Sequence, residues 1–176
     1  MVPNFLNLKK CIFFPPFQIP LGHVIFRYKI RMDPAKVMII IDLPPPSIVK
    51  KLRSTLGHMS HHQKFIRVYA EVTSPMDKLL KKGVKFQWSE QFQESSDVLK
   101  NKMVIAPILV FPNWKKEFHV HVDASPITLG VLLAQLGEGS IDNHILFASI
   151  KLSTMEKNYT TTKREGLSMV YTLKTF

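Results

Sequence analysis

Apolar residues recur with two different periods along the chain, and the change of period falls near Ala106-Pro107. Before it the spacing is helical. Asp33-Pro34 predicts a helix start, because Asp caps free N–H groups and proline suits the first helical position, and Pro44-Pro45-Pro46 stops the segment after about two turns. Ser47 is placed to cap a second helix in which Ile48, Leu52 and Leu56 form an apolar stripe, leaving Lys50, Lys51 and Arg53 outside. Further short helices are predicted over residues 61–70, 74–82 and 89–104, divided by turn residues that include Pro75 and Gly83.

After Ala106-Pro107 the pattern alternates. Phe118, Val120 and Val122 fall on one face and His119, His121 and Asp123 on the other, followed by an apolar run from Leu129 to Leu136. These read as adjacent strands. Gly137-Glu138-Gly139-Ser140 predicts a turn, a third strand covers Ile145 to Ile150, and a last helix begins near Thr161 with Leu167, Val170 and Tyr171 at helical spacing. The fold class expected from these periods is α+β: a mainly helical first hundred residues, then three strands and a last helix. Residues 1–84 and 85–176 are read as its two parts.

The apolar stretch from Cys11 to Phe26, preceded by Lys9 and Lys10, has the outline of a signal peptide. Pro15, Pro16 and Pro20 interrupt it and it is too short to span a bilayer, so it is read as buried strand and no membrane partner is expected. Cys11 is the sole cysteine, which rules out an internal disulfide or a cysteine zinc site and suits a reducing compartment, cytoplasmic or nuclear.

Charge is uneven. Residues 1–84 carry 14 Lys and Arg against 4 Asp and Glu, whereas residues 85–176 carry 10 against 9. A basic half of this kind suits a polyanion, and a merely solvated basic face accounts for the same numbers equally well.

Ten segments in order then carry a family resemblance, among them LNLKKCIFF at 6–14, LGHVI at 21–25, IRMDPAKV at 30–37, LPPPSIVKKLRSTLGHMS at 43–60, SPMDKLLKKGVKFQWSE at 74–90, VDASPITLGVLLAQ at 122–135 and EKNYTTTKRE at 156–165. Together they resemble the Pol polyprotein of gypsy-type LTR retrotransposons, over the end of the reverse transcriptase palm, the thumb and the first part of ribonuclease H. The resemblance implies that Leu21, Gly22 and His23 belong to the hairpin that grips a primer end, and that residues 33–82 form the thumb. Lys50, Lys51, Arg53, Lys64 and Arg67 are then the candidates for sequence-independent phosphate contacts with an RNA–DNA hybrid or duplex. It also implies that Asp123 and Glu165, brought side by side by a strand and a helix, are two of four carboxylates that hold Mg²⁺. Hard oxygen ligands are what two magnesium ions bridging a scissile phosphate need.

The other two ribonuclease H aspartates are expected beyond Phe176 and the polymerase aspartates before Met1, so the chain alone is expected to be catalytically incomplete and to work, if expressed, with the remainder of Pol. A free-standing hybrid-binding module and a silent transposon remnant are the competing readings.

Several positions depart from the family pattern. Pro20 stands where the grip hairpin has an aromatic residue, Ser96 where the lead-in helix buries Phe, Gly166 where the last helix has Leu, and Val37 to Ile41 is apolar throughout. With the two truncated ends these imply drift, and with it a low, broad thermal transition. His61-His62 replaces an aromatic pair, and His119-x-His121-x-Asp123 sets three metal-ligand types on one strand face. Zinc needs three or four converging ligands, so neither motif is expected to be a transition-metal site.

Overall fold

The computed structural model of the protein describes residues 17–176. The family segment LNLKKCIFF and Cys11 lie outside them, as does the first part, residues 11–16, of the stretch read as buried strand.

A hairpin opens the described chain. β1 (Phe17–Gln18) pairs antiparallel with β2 (His23–Phe26), which pairs with β3 (Lys29–Met32). Pro20 sits in the turn between β1 and β2, not in a strand, and its carbonyl accepts the His23 N–H at 3.0 Å. No ladder donor is lost there. α1 (Pro34–Ile41) starts as its sequence requires: the Asp33 carboxylate accepts the Ala35 N–H at 3.0 Å and Pro34 occupies the first turn. Of the apolar run, Val37 and Ile40 are buried while Met38 and Ile39 face solvent.

α2 (Val49–Ser60) begins later than its stripe suggested. Ile48 is the N-cap residue, half exposed, and no side chain caps the end. The buried stripe is Leu52, Leu56 and Met59, shifted toward the C-terminus, because Ile48 stands in the extended N-cap conformation before the first helical turn. Instead of one helix over 61–70, a 3₁₀ turn (Gln63–Phe65) leads to Val68, whose φ is 55°, and α3 (Tyr69–Lys78) follows. α3 runs through Pro75, where sequence placed its start. Tyr69, Ala70, Thr73 and Met76 form a buried face, and this burial outweighs the lost backbone bond of a helical proline, about 3 kcal/mol.

α4 (Glu90–Val104) keeps its expected bounds and packs on α3. The Lys100 ammonium donates to the carbonyls of Ile41 and Leu43 at 2.7 and 2.8 Å, capping the end of α1 with a cation as the helix dipole favours. Ser96 is buried beside Leu99 and Met103 on this helix. The chain then returns to the first sheet: β4 (Leu109–Val110) pairs with β3, completing the order β1-β2-β3-β4.

The second sheet has the order β5-β6-β7, all antiparallel: β5 (His119–Ala124), β6 (Thr128–Leu136) and β7 (Asp142–Lys151), with a bulge near Leu133 and Ala134. α3 lies on one face. The Ala70 N–H donates to the Ser149 hydroxyl at 2.9 Å, the Thr128 hydroxyl donates to Glu71 at 3.2 Å, and Lys151 pairs with Asp77. One apolar cluster runs from Met32 through Leu52, Met59 and Phe65 to Phe147, so the first half and the second sheet share a core.

α5 (Thr161–Thr175), capped by the Thr160 hydroxyl, packs on β5 and β6 from the other face. Its buried residues are Ser168 and Thr172, whereas Val170 and Leu173 face solvent and Leu167 and Tyr171 are half-buried. The helix thus lays a small, partly polar stripe on the sheet. Gly166 lies inside α5 with nothing within 4 Å of an added Cβ. Gly166→Ala is expected to raise stability by about 1 kcal/mol, read as a higher urea midpoint with unchanged m-value. Among the described residues no helix is long and apolar enough to cross a membrane.

Candidate nucleic-acid interface and carboxylate pair

Leu21 and Gly22 occupy the tip of the β1–β2 turn with φ of 52° and 79°. The left-handed backbone suits glycine and leaves the Leu21 side chain exposed. This tip faces α2 across a groove of about 440 Å³ lined by Leu21, Gly22, Lys36, Gly57, His58 and His61. The hairpin and the second helix, distant in sequence, therefore bound one cleft.

His23 does not share that exposure. Its ring is 6% exposed and packs among three others, with centroids 4.8 Å from His61, 5.1 Å from His62 and 5.4 Å, stacked, from Phe65. It holds the hairpin against the end of α2. Of the five candidate phosphate ligands, Lys50, Lys51 and Arg53 are exposed on α2, opposite the buried Leu52–Leu56–Met59 stripe. Lys64 is half-buried with its ammonium 5.4 Å over the Phe65 ring, and burial lowers its pKa. Arg67 is exposed and pairs with Asp123 at 3.5 Å.

The backbone through Asp123 is extended, as the resemblance requires. Asp123 stands opposite Gly130 and projects on the α3 side of the sheet, its Cβ 3.8 Å from where a Gly130 Cβ would be. A cleft of about 260 Å³ there is lined by Arg67, Val68, His121, Asp123, Asp142 and His144. Glu165 is exposed on α5, one turn before Ser168, whose hydroxyl donates to the Glu165 carbonyl at 2.5 Å. α5 packs on β5, so Asp123 and Glu165 stand on elements in contact. Among the described residues no group of three or more His, Cys, Asp or Glu side chains is posed to hold a metal ion. Asp123, engaged by a guanidinium, and Glu165 do not by themselves make the hard-oxygen set that magnesium requires.

A contact absent from the sequence reading joins β5 to β7. Asp142 binds His119 Nδ1 through one oxygen at 2.7 Å and His121 Nε2 through the other at 2.6 Å. These hydrogen bonds, His121 first, hold the Asp142 carboxyl below its ordinary pKa. The alternation of β5 placed both histidines on one face; nothing in the sequence around Asp142 marked it as their partner, because the meeting is made across β6.

The model of the RNase H-like domain found in reverse transcriptase matches residues 88–176. The Retrovirus-related Pol polyprotein from transposon 297 of Drosophila melanogaster is 35% identical over 97% of this chain, and that from transposon opus 33% identical over 96%. The chain spans 16% and 18% of the lengths of these relatives. Among solved structures, a foamy viral protease-reverse transcriptase in complex with RNA/DNA hybrid superposes with a TM-score of 0.81 at 20% identity, over 95% of this chain and 23% of that one. A foamy viral form in complex with double-stranded DNA gives 0.80 at 19% identity, over 90% of this chain and 28% of that one. These two show the fold.

Proposed function

The chain belongs to the family of RNase H-like domains found in reverse transcriptase, and we propose that it acts as the duplex-holding segment of a retrotransposon Pol protein. The substrate class is an RNA–DNA hybrid or a related A-like duplex, held by backbone and shape. The basic face of α2 carries this reading: Lys50, Lys51 and Arg53 are exposed on the helix whose far end, at Gly57 and His58, walls the groove beside the left-handed Leu21–Gly22 turn and Lys36. Contacts of that kind go to phosphates and sugars and carry no sequence information. The similarity to foamy viral proteins solved with RNA/DNA hybrid and double-stranded DNA supports the same substrate class.

In this reading Asp123 and Glu165 are two of the four magnesium carboxylates, completed by residues of a longer Pol chain, and Asp123 must leave Arg67 to serve. Residues 1–84 form the grip and thumb part and residues 85–176 the ribonuclease H part, joined through the shared core. The chain alone is expected to bind and not to cleave.

Fluorescence anisotropy with a labelled RNA–DNA hybrid tests this. Binding should weaken as salt rises, with log K falling by roughly 0.9 per log salt for each phosphate neutralised. No binding at low salt would leave the silent-remnant reading. RNA-strand cleavage in Mg²⁺ that disappears in Asp123→Asn would show that the carboxylate set is complete without the rest of Pol.

A further inference from the structure

The β2–β3 turn and the loop that follows β4 lie side by side, tied by the Phe111 N–H, which donates to the Tyr28 carbonyl at 2.9 Å. The loop is firmly built. Gln135 of β6, only 4% exposed, accepts the Asn113 N–H at 2.8 Å and donates to the Asn113 and Lys116 carbonyls at 2.9 and 3.1 Å. The Asn113 side chain in turn accepts the Lys115 N–H at 3.0 Å. One buried amide thus fixes the backbone on which Trp114, Lys115 and Lys116 stand.

On this frame Tyr28 and Trp114 are 82% and 83% exposed. Rings of that size left in water forgo the burial that ordinarily holds aromatic side chains in a core. Both line one recess of about 560 Å³, and Tyr28, Phe111 and Asn113 also line an adjoining one of about 390 Å³. Cations line the same two recesses: Lys115 the first, and Arg27, Lys29 and Lys116 the second. Among the described residues no Asp or Glu lines either. Arg27 has a φ of 51°, so the two-residue hairpin loop holds a guanidinium where the backbone favours glycine.

We propose that this aromatic and basic groove binds an unpaired, single-stranded segment of nucleic acid, with bases stacked on Trp114 and Tyr28 and phosphates held by Arg27, Lys29, Lys115 and Lys116. The combination selects the ligand. A simple anion has no use for exposed rings, and an apolar peptide has none for four cations. In a duplex the base faces are already stacked on one another, so these rings find partners only in an unpaired strand. The groove shares no residue with the basic face of α2, and its strand-holding role does not rest on the duplex reading made there.

The test uses the 176-residue protein and a labelled oligothymidylate of roughly 12 nucleotides, followed by fluorescence anisotropy at low salt. Binding should also quench tryptophan emission, and Trp114→Phe should remove most of the quenching, because Trp88 is the only other tryptophan. Trp114→Ala and Tyr28→Ala, at exposed positions, should keep the Tm and each weaken binding about tenfold, and an abasic sugar-phosphate oligomer of equal length should bind at least about tenfold more weakly. Lys115→Glu with Lys116→Glu should lower the salt slope by roughly 1.4, at about 0.7 for each phosphate of a single strand. Lys50→Glu with Lys51→Glu should leave affinity for the oligomer within about threefold. No binding, equal affinity for the abasic oligomer, full affinity in Trp114→Ala, or a loss in the Lys50 and Lys51 variant as large as in the Lys115 and Lys116 variant would each overturn the proposal. Capture by phosphatidylserine vesicles without binding to the oligomer would overturn it in favour of a membrane surface.

Discussion

Phe65→Ala is expected to lower stability by about 3–5 kcal/mol, a large share of the roughly 5–15 kcal/mol that holds a domain of ordinary size. The side chain is 1% exposed, and it belongs to the cluster that contains Leu52, Met59 and Phe147. Its ring also stacks on His23 of the hairpin. Truncation therefore opens a cavity where three parts of the molecule meet, which neighbours fixed in helices and strands cannot close. Urea unfolding should show a lower midpoint at unchanged m-value, and amide exchange in β2 should speed up along with exchange in β7. A loss under 1 kcal/mol, or faster exchange confined to residues 63–65, would mean that the hairpin, α2 and the second sheet do not share one core.

Reversing Lys50 and Lys51 to glutamate should weaken hybrid binding about a hundredfold near 0.1 M salt and flatten the salt dependence by roughly two phosphate equivalents. Both side chains are exposed on the face of α2 away from Leu52, so folding stability should change by less than about 0.5 kcal/mol. The same reversal at Lys115 and Lys116, which are exposed beyond β4, serves as the control and should leave affinity within about threefold. Equal losses from the two pairs would mean that net charge, and not the α2 face, attracts the duplex.

The local devices were legible because they act over a few residues. Asp33-Pro34 set the start of α1, and the alternation around Val120 set β5 together with the common face of His119, His121 and Asp123. The order of ten short segments was enough to indicate the retrotransposon Pol family. Where reading failed, packing had overruled propensity. Pro75 marks a helix start by local rules, yet α3 extends through it because Tyr69 and Met76 are buried. Ile48 fits the spacing of the α2 stripe, yet Met59 takes the buried place. The strand β4, two residues long, has too little pattern to be seen and exists because β3 offers it an edge.

By itself, then, the sequence determined the element types, the basic first half, the family and the residue types available for chemistry. Tertiary structure decided which of them meet: Arg67 with Asp123, Asp142 with two histidines, and His23 with a histidine pair some forty residues later. Caps and periodicity follow from backbone geometry within a turn or two. Contacts between distant side chains exist only after helices and strands have settled against one core, and their partners are set by that packing.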